Sequence, residues 1–179
     1  MMLTKLFKCS RGGVLLEFGL ITPILVFMML NGFEMARFLI LNQKLQRTAM
    51  SVADLAARDN VLDTNDFNNL FAAGSEVFRP FTLDADGRVI VSSINEDGGG
   101  NPQVAWQREN GTLLATSLIG FEGGAATLDE PALIGDGQTL IVAEVFYDFE
   151  PLVGVIPAPR QVYHRAFYRP RLVLEVGVE

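Results

Sequence analysis

Cysteine is nearly absent from this 179-residue chain: Cys9 is the single thiol, which excludes an intrachain disulfide and any zinc site built from four cysteines. Histidine is equally scarce. His164 stands alone, and no G-x-S-x-G or other strained nucleophile turn occurs, so the usual hydrolytic constellations lack their parts and no enzyme is expected. Positive charge is thin as well, with 14 Lys and Arg against 21 Asp and Glu, a formal net charge of -7 and no lysine block. A phosphate-binding surface needs the opposite balance, and no nucleic acid is expected as a partner. A second long apolar run is also missing, which leaves one candidate membrane segment.

That segment is residues 14–30, "VLLEFGLITPILVFMML", interrupted by Glu17, Gly19, Thr22 and Pro23. At about 1.5 Å per residue the stretch from Gly13 to Leu41 is long enough to cross a bilayer. Lys5, Lys8 and Arg11 make a basic flank like that of a signal peptide, but no small-x-small cleavage site follows the apolar run. A lipoprotein signal fails because Cys9 precedes the run, so Cys9 reads as an incidental residue. The three bases before the run face Arg37, Lys44, Arg47 and Glu34 after it, a small bias toward a cytoplasmic N-terminus. The long acidic remainder, with no second span, is then expected wholly outside the cytoplasm. Glu17 is the anomaly, since a carboxylate in hydrocarbon costs a few kcal/mol and such residues normally have a partner.

Helical patterning continues past the apolar run. Residues 33–58 contain no glycine or proline, and Phe38, Leu41, Leu45, Thr48, Val52 and Leu55 recur at spacings of three and four. One continuous helix from about Val14 to Arg58 follows, with a kink expected at Pro23. "DTNDFNNLFAAGSEVF" offers Asp63 and Thr64 as caps for a second, shorter helix. After Arg79-Pro80 the pattern shortens: "GRVIVSSI", "QVAWQR", "TLIVAEVFYDF", "QVYHRAFY" and "RLVLEVGV" read as strands. Gly98–Gly100, "GFEGG" and "GDG" read as loops, and three prolines make "EPLVGVIPAP" a stiffened connection. The expected class is α+β, a long N-terminal helix with a small β-rich C-terminal head.

Possible sites in the head are few. His164 lies in an alternating strand and reads as structural or surface. "TLDADGR" contains the core of a calcium loop, but Thr82 and Ser93 stand where the twelve-residue pattern needs acids, so Asp84, Asp86 and Gly87 read as a plain turn and no metal is expected. Arg169-Pro170-Arg171 is open to two readings, a recognition surface or solvated arginines at a strand junction.

"RGGVLLEFGLITPIL" at residues 11–25, "VAEVFYDFEPLVG" at 142–154 and "YRPR" at 168–171 together resemble the TadE-like pseudopilins, minor pilins of tight-adherence (Flp, type IVc) pili. The resemblance implies family-motif roles for Glu144, Tyr147, Pro151, Arg169, Pro170 and Arg171. It also implies a prepilin peptidase that cuts after a cytoplasmic glycine and leaves a glutamate fifth, followed by an aromatic. A cut between Gly12 and Gly13 makes Glu17 fifth and Phe18 sixth; a cut after Gly13 makes Glu17 fourth, and the family spacing favours the former. The resulting organisation is a leader at 1–12, a transmembrane and extended pilin helix at 13–60, and an extracytoplasmic head at 61–179.

Under that resemblance Glu17 gains a partner. Cleavage frees an α-amino group on Gly13, positive near neutral pH, and a staggered neighbour's Glu17 can pair with it. Gly13, Glu17 and Phe18 are therefore the expected subunit-pairing residues. Processing would also remove Cys9, which suits an oxidising compartment. The implied partners are the peptidase, other pilins and pseudopilins of the same pilus, the inner-membrane assembly platform and the membrane itself, with no cofactor. The implied place is the bacterial inner membrane, single-pass, with a periplasmic head and entry into the pilus, and the implied roles are pilus assembly, surface adhesion and biofilm formation. The alternative is a single-pass anchored extracytoplasmic binding domain that never polymerises. Cleavage at Gly12 separates the two.

Overall fold

The computed structural model describes residues 10–96, 99–129, 134, 138–153, 156–171 and 176–178, with the side chains of residues 10–12 and Asp84 left aside. Lys5, Lys8 and Cys9, the Gly98 loop position, the "GDG" loop and residues 172–175 of the last expected strand lie outside the described residues. The chain forms two compact units, one of residues up to Leu39 with Glu150–Pro159, the other of Ile40–Phe149 with Arg160–Glu179.

In the first unit the dominant element is α1, Ser10–Ala56, whose 47 residues continue into the second unit. It runs unbroken through Pro23. Its polar side chains turn back on the helix: Thr22 Oγ1 donates to the Phe18 carbonyl at 2.6 Å and Asn31 Nδ2 to the Phe27 carbonyl at 2.8 Å. Such internal bonds satisfy groups that hydrocarbon would leave unpaired. The large side chains from Val14 to Met29 are all exposed.

The second unit begins where α1 acquires a buried face. Leu41, Leu45, Thr48, Ala49, Val52 and Ala56 have no exposure, the stripe expected of a helix packed on a core. Thr48 Oγ1 is buried there with no hydrogen-bond partner among the described residues. The second helix, α2, spans Thr64–Phe78 and starts with a capping box, in which Asp63 accepts from the Asp66 N–H and Asp66 accepts from the Asp63 N–H. The helices meet at Gly74, where a Cβ would stand 2.9 Å from Val52 Cγ2, so the close approach depends on the missing side chain.

Among the described residues, the main sheet has four antiparallel strands: β2 Gly87–Glu96, β3 Pro102–Asn110, β4 Leu140–Phe149 and β5 Arg160–Tyr168, in the order β3-β2-β4-β5. Residues of β4 alternate between two covered faces, as period two requires. Tyr147 packs on Phe78 of α2 at 5.2 Å, and Trp106 of β3 meets Phe67 edge-on at 5.5 Å. On the opposite face Val142, Ile94 and Val104 cluster with Ile119 and Leu128 of the connection between β3 and β4. Helices thus cover one face and a long loop the other.

Two details depart from the sequence pattern. Leu83–Asp86 is a single helical turn, α3, rather than a plain Asp-Gly turn; the Gly87 N–H caps it by donating to the Leu83 carbonyl. A small parallel pair also forms between β1, Val61–Leu62, and β6, Gly177–Val178, at the end of the last expected strand, whose other described residues, Arg171 and Val176, lie outside the pair.

Candidate functional site

The N-terminal part of α1 carries the residues singled out for processing and pairing. Gly12 and Gly13 lie in its first turn, and a Cβ on Gly13 would meet nothing within 4 Å. Glu17 is exposed, and Phe18 beside it is 68% exposed. No ion-pair or hydrogen-bond partner of Glu17 occurs among the described residues. Among the described residues one helical stretch is long and apolar enough to cross a membrane, unburied in its apolar window, and it carries this carboxylate near its start.

A second acid in the same unit is treated quite differently. Glu34 has no exposure, and its carboxylate accepts from Arg37 Nη1 at 2.8 Å and from the backbone N–H groups of Leu152 at 3.1 Å and Val153 at 3.4 Å. Arg37 Nη1 also donates to the Glu150 carbonyl at 2.9 Å, and the Ile156 N–H donates to Asn31 Oδ1 at 3.0 Å. About two turns of α1, residues 31–37, thus hold the loop 150–159 by the backbone of residues 150–153 and 156. Pro151 of the expected motif sits in this loop. The sequence offered only a faint signal for the clamp, a glutamate three residues before an arginine at the end of an apolar run.

The remaining motif residues are not gathered into one site. Glu144 is fully buried in β4 and accepts from the Ser117 hydroxyl, from the Leu118 N–H at 3.0 Å and from the Tyr163 hydroxyl at 2.9 Å. Its task is to fasten the long connection to the sheet. Burial, then the Glu144 charge and its hydrogen bond, push the Tyr163 hydroxyl pKa up, so the phenol remains a donor. Tyr147, three residues on, faces α2 instead. Arg171 pairs with Asp54 of α1 at 2.9 Å, while its N–H donates to the Ala57 carbonyl at 3.3 Å, a structural use of the trio's last residue. Arg169 is exposed and Pro170 half-buried. His164 is half-buried beside Asn42, with 3.3 Å between Nε2 and Oδ1, and burial lowers its pKa.

Comparison with curated proteins and with solved structures finds no match to this chain. The motifs at 142–154 and 168–171 lie beyond the stretch that a family model covers. That stretch contains the glycine pair, Glu17, the whole apolar run, the Glu34 clamp turn and most of the buried stripe of α1. Residues 12–54 match the model of the TadE-like protein family, the family that the glycine pair, Glu17 and Phe18 resemble.

Proposed function

We propose that the chain is a non-enzymatic minor pilin, or pseudopilin, of a tight-adherence pilus. Its N-terminus faces the cytoplasm, α1 anchors it in the inner membrane, and its head lies in the periplasm until the subunit enters the pilus. A prepilin peptidase cuts between Gly12 and Gly13. The freed Gly13 amine pairs with Glu17 of a neighbouring pilin or pseudopilin on the assembly platform, with Phe18 packed beside the pair. The subunit then serves assembly and, through the pilus, surface adhesion and biofilm formation.

The observation that carries this reading is the exposed carboxylate of Glu17, four residues after Gly13 on an apolar helix that is bare on every side. An ion pair between chains offsets the desolvation of both charges and penalises every other stagger. A bare helix with an intact leader would instead be a passive anchor for a binding domain.

The test is intact mass and N-terminal sequencing of the membrane-extracted protein. A mature N-terminus at Gly13 is expected, and Gly12→Val should leave the precursor full length because the cut needs close backbone approach. An uncut wild-type chain would favour the anchored, non-polymerising domain.

A further inference from the structure

We infer that residues 150–153 and 156–159 of the loop form a second membrane contact, seated in the headgroup region of the outer leaflet beside the point where α1 leaves the bilayer. The inference rests on the proposed insertion of α1, and on nothing about processing or polymerisation.

Depth comes first. Eighteen residues separate Gly13 from Asn31, about 27 Å of helix, close to the roughly 30 Å of a bilayer's hydrocarbon. If the span begins at Gly13, Asn31 and Glu34 emerge at its far boundary. Together with Arg37, their side chains hold the loop by its backbone.

The loop's chemistry then fits that depth. Residues 151–159 contain no charged or polar side chain. Leu152 is 69% exposed, Val153 55% and Ile156 54%, so these apolar side chains lie open while their backbone is held by α1. A loop entering a lipid interface must dispose of its N–H groups, because apolar surroundings offer them no acceptor. Here Leu152, Val153 and Ile156 donate to Glu34 and Asn31. Pro151, Pro157 and Pro159 have no N–H to satisfy. An ordinary solvated loop shows the reverse, polar side chains outward and backbone bonded to water. The same unit also exposes the large apolar side chains of α1 from Val14 to Met29.

The experiment uses the full chain with Cys9→Ser and one reporter cysteine at a time, Leu152→Cys, Ile156→Cys or Leu20→Cys, each at an exposed position and each carrying an environment-sensitive fluorophore. Reconstitution is into phosphatidylethanolamine–phosphatidylglycerol vesicles containing lipids nitroxide-labelled at the headgroup or deep in the chain. The Leu20 reporter should be quenched by the deep label. Both loop reporters should be blue-shifted, quenched by the headgroup label and shielded from aqueous iodide. Loop reporters open to iodide and unquenched, with Leu20 quenched, would overturn the loop assignment alone. Loop reporters shielded from iodide yet untouched by either nitroxide would mean that protein, such as a second copy, covers the loop, and would also overturn it. An unquenched Leu20 reporter would remove the membrane reading of α1 and the loop assignment together.

Discussion

Removing the Glu34 carboxylate should free the loop 150–159 while leaving the β-rich unit folded. In Glu34→Ala the N–H groups of Leu152 and Val153 lose their acceptor, and Arg37 loses its carboxylate partner but keeps the Glu150 carbonyl. A hydrogen bond to a charged group contributes about 1.5–3 kcal/mol net. The 3.4 Å contact at Val153 is long, so its share is at the weak end. Arg37 stays partly exposed and regains some solvation, which keeps the loss below that of a fully buried broken pair. A local loss of about 2–3 kcal/mol follows, equivalent to about 30- to 150-fold faster opening-limited exchange. The assay is amide hydrogen exchange of Leu152 and Val153 in reconstituted protein, with amides of β2 and β4 as the internal standard. Glu34→Gln keeps an acceptor oxygen and should lie between wild type and alanine. Unchanged protection of both amides in Glu34→Ala, with the sheet intact, would refute the clamp.

Three further outcomes test other parts of the molecule. Gly74→Ala gains about 1 kcal/mol of helix propensity, but its Cβ would press on the stiff, buried Val52 at an overpacking cost of about 1–3 kcal/mol; thermal unfolding should show a net loss, and equal or greater stability would contradict the close approach of α1 and α2. Burial depresses the His164 pKa below 6.5, so the unfolded chain binds the proton more readily; His164 therefore favours folding above pH 6.5, the contribution is lost as pH falls through the folded value, and His164→Gln should flatten that part of the stability–pH curve. Glu17→Gln should insert and be processed like wild type yet fail to appear in sheared pili, since the Gly13 amine loses its counter-charge; normal piliation would deny Glu17 the pairing role.

Elements whose residues repeat were legible in the sequence. The uninterrupted spacing from Phe38 to Leu55 gave α1 its second half, Asp63 announced α2, and alternation marked β2 to β5. Elements set by few residues or by distant partners were not. Leu83–Asp86 carries an Asp-Gly pair that reads as a turn, and only the Gly87 N–H reaching the Leu83 carbonyl makes it helical. β1 and β6 are two residues each, too short to have a period. Glu144 was legible only as part of the resemblance's motif, since nothing local says that Ser117, 27 positions away, will hold it. The Glu34 clamp joins residues 118 positions apart, and beyond the Glu34–Arg37 spacing nothing local announces it.

Two glutamates on one helix show why burial and pairing, rather than residue type, separate structural from intermolecular charge. Glu17 and Glu34 stand about 26 Å apart along α1, near opposite ends of the apolar run. Glu34 is compensated inside its own chain by a guanidinium and two backbone N–H groups, so its loss is felt at the loop. Glu17 has no such compensation among the described residues, so in hydrocarbon its charge needs a group from another molecule. On the proposed function the two substitutions therefore dissociate: Glu34→Ala loosens the loop and leaves the pairing at Gly13 available, whereas Glu17→Gln leaves loop protection unchanged and removes assembly. The reverse pattern, with assembly intact in Glu17→Gln and abolished in Glu34→Ala, would move the intermolecular register from the start of the apolar run to its end.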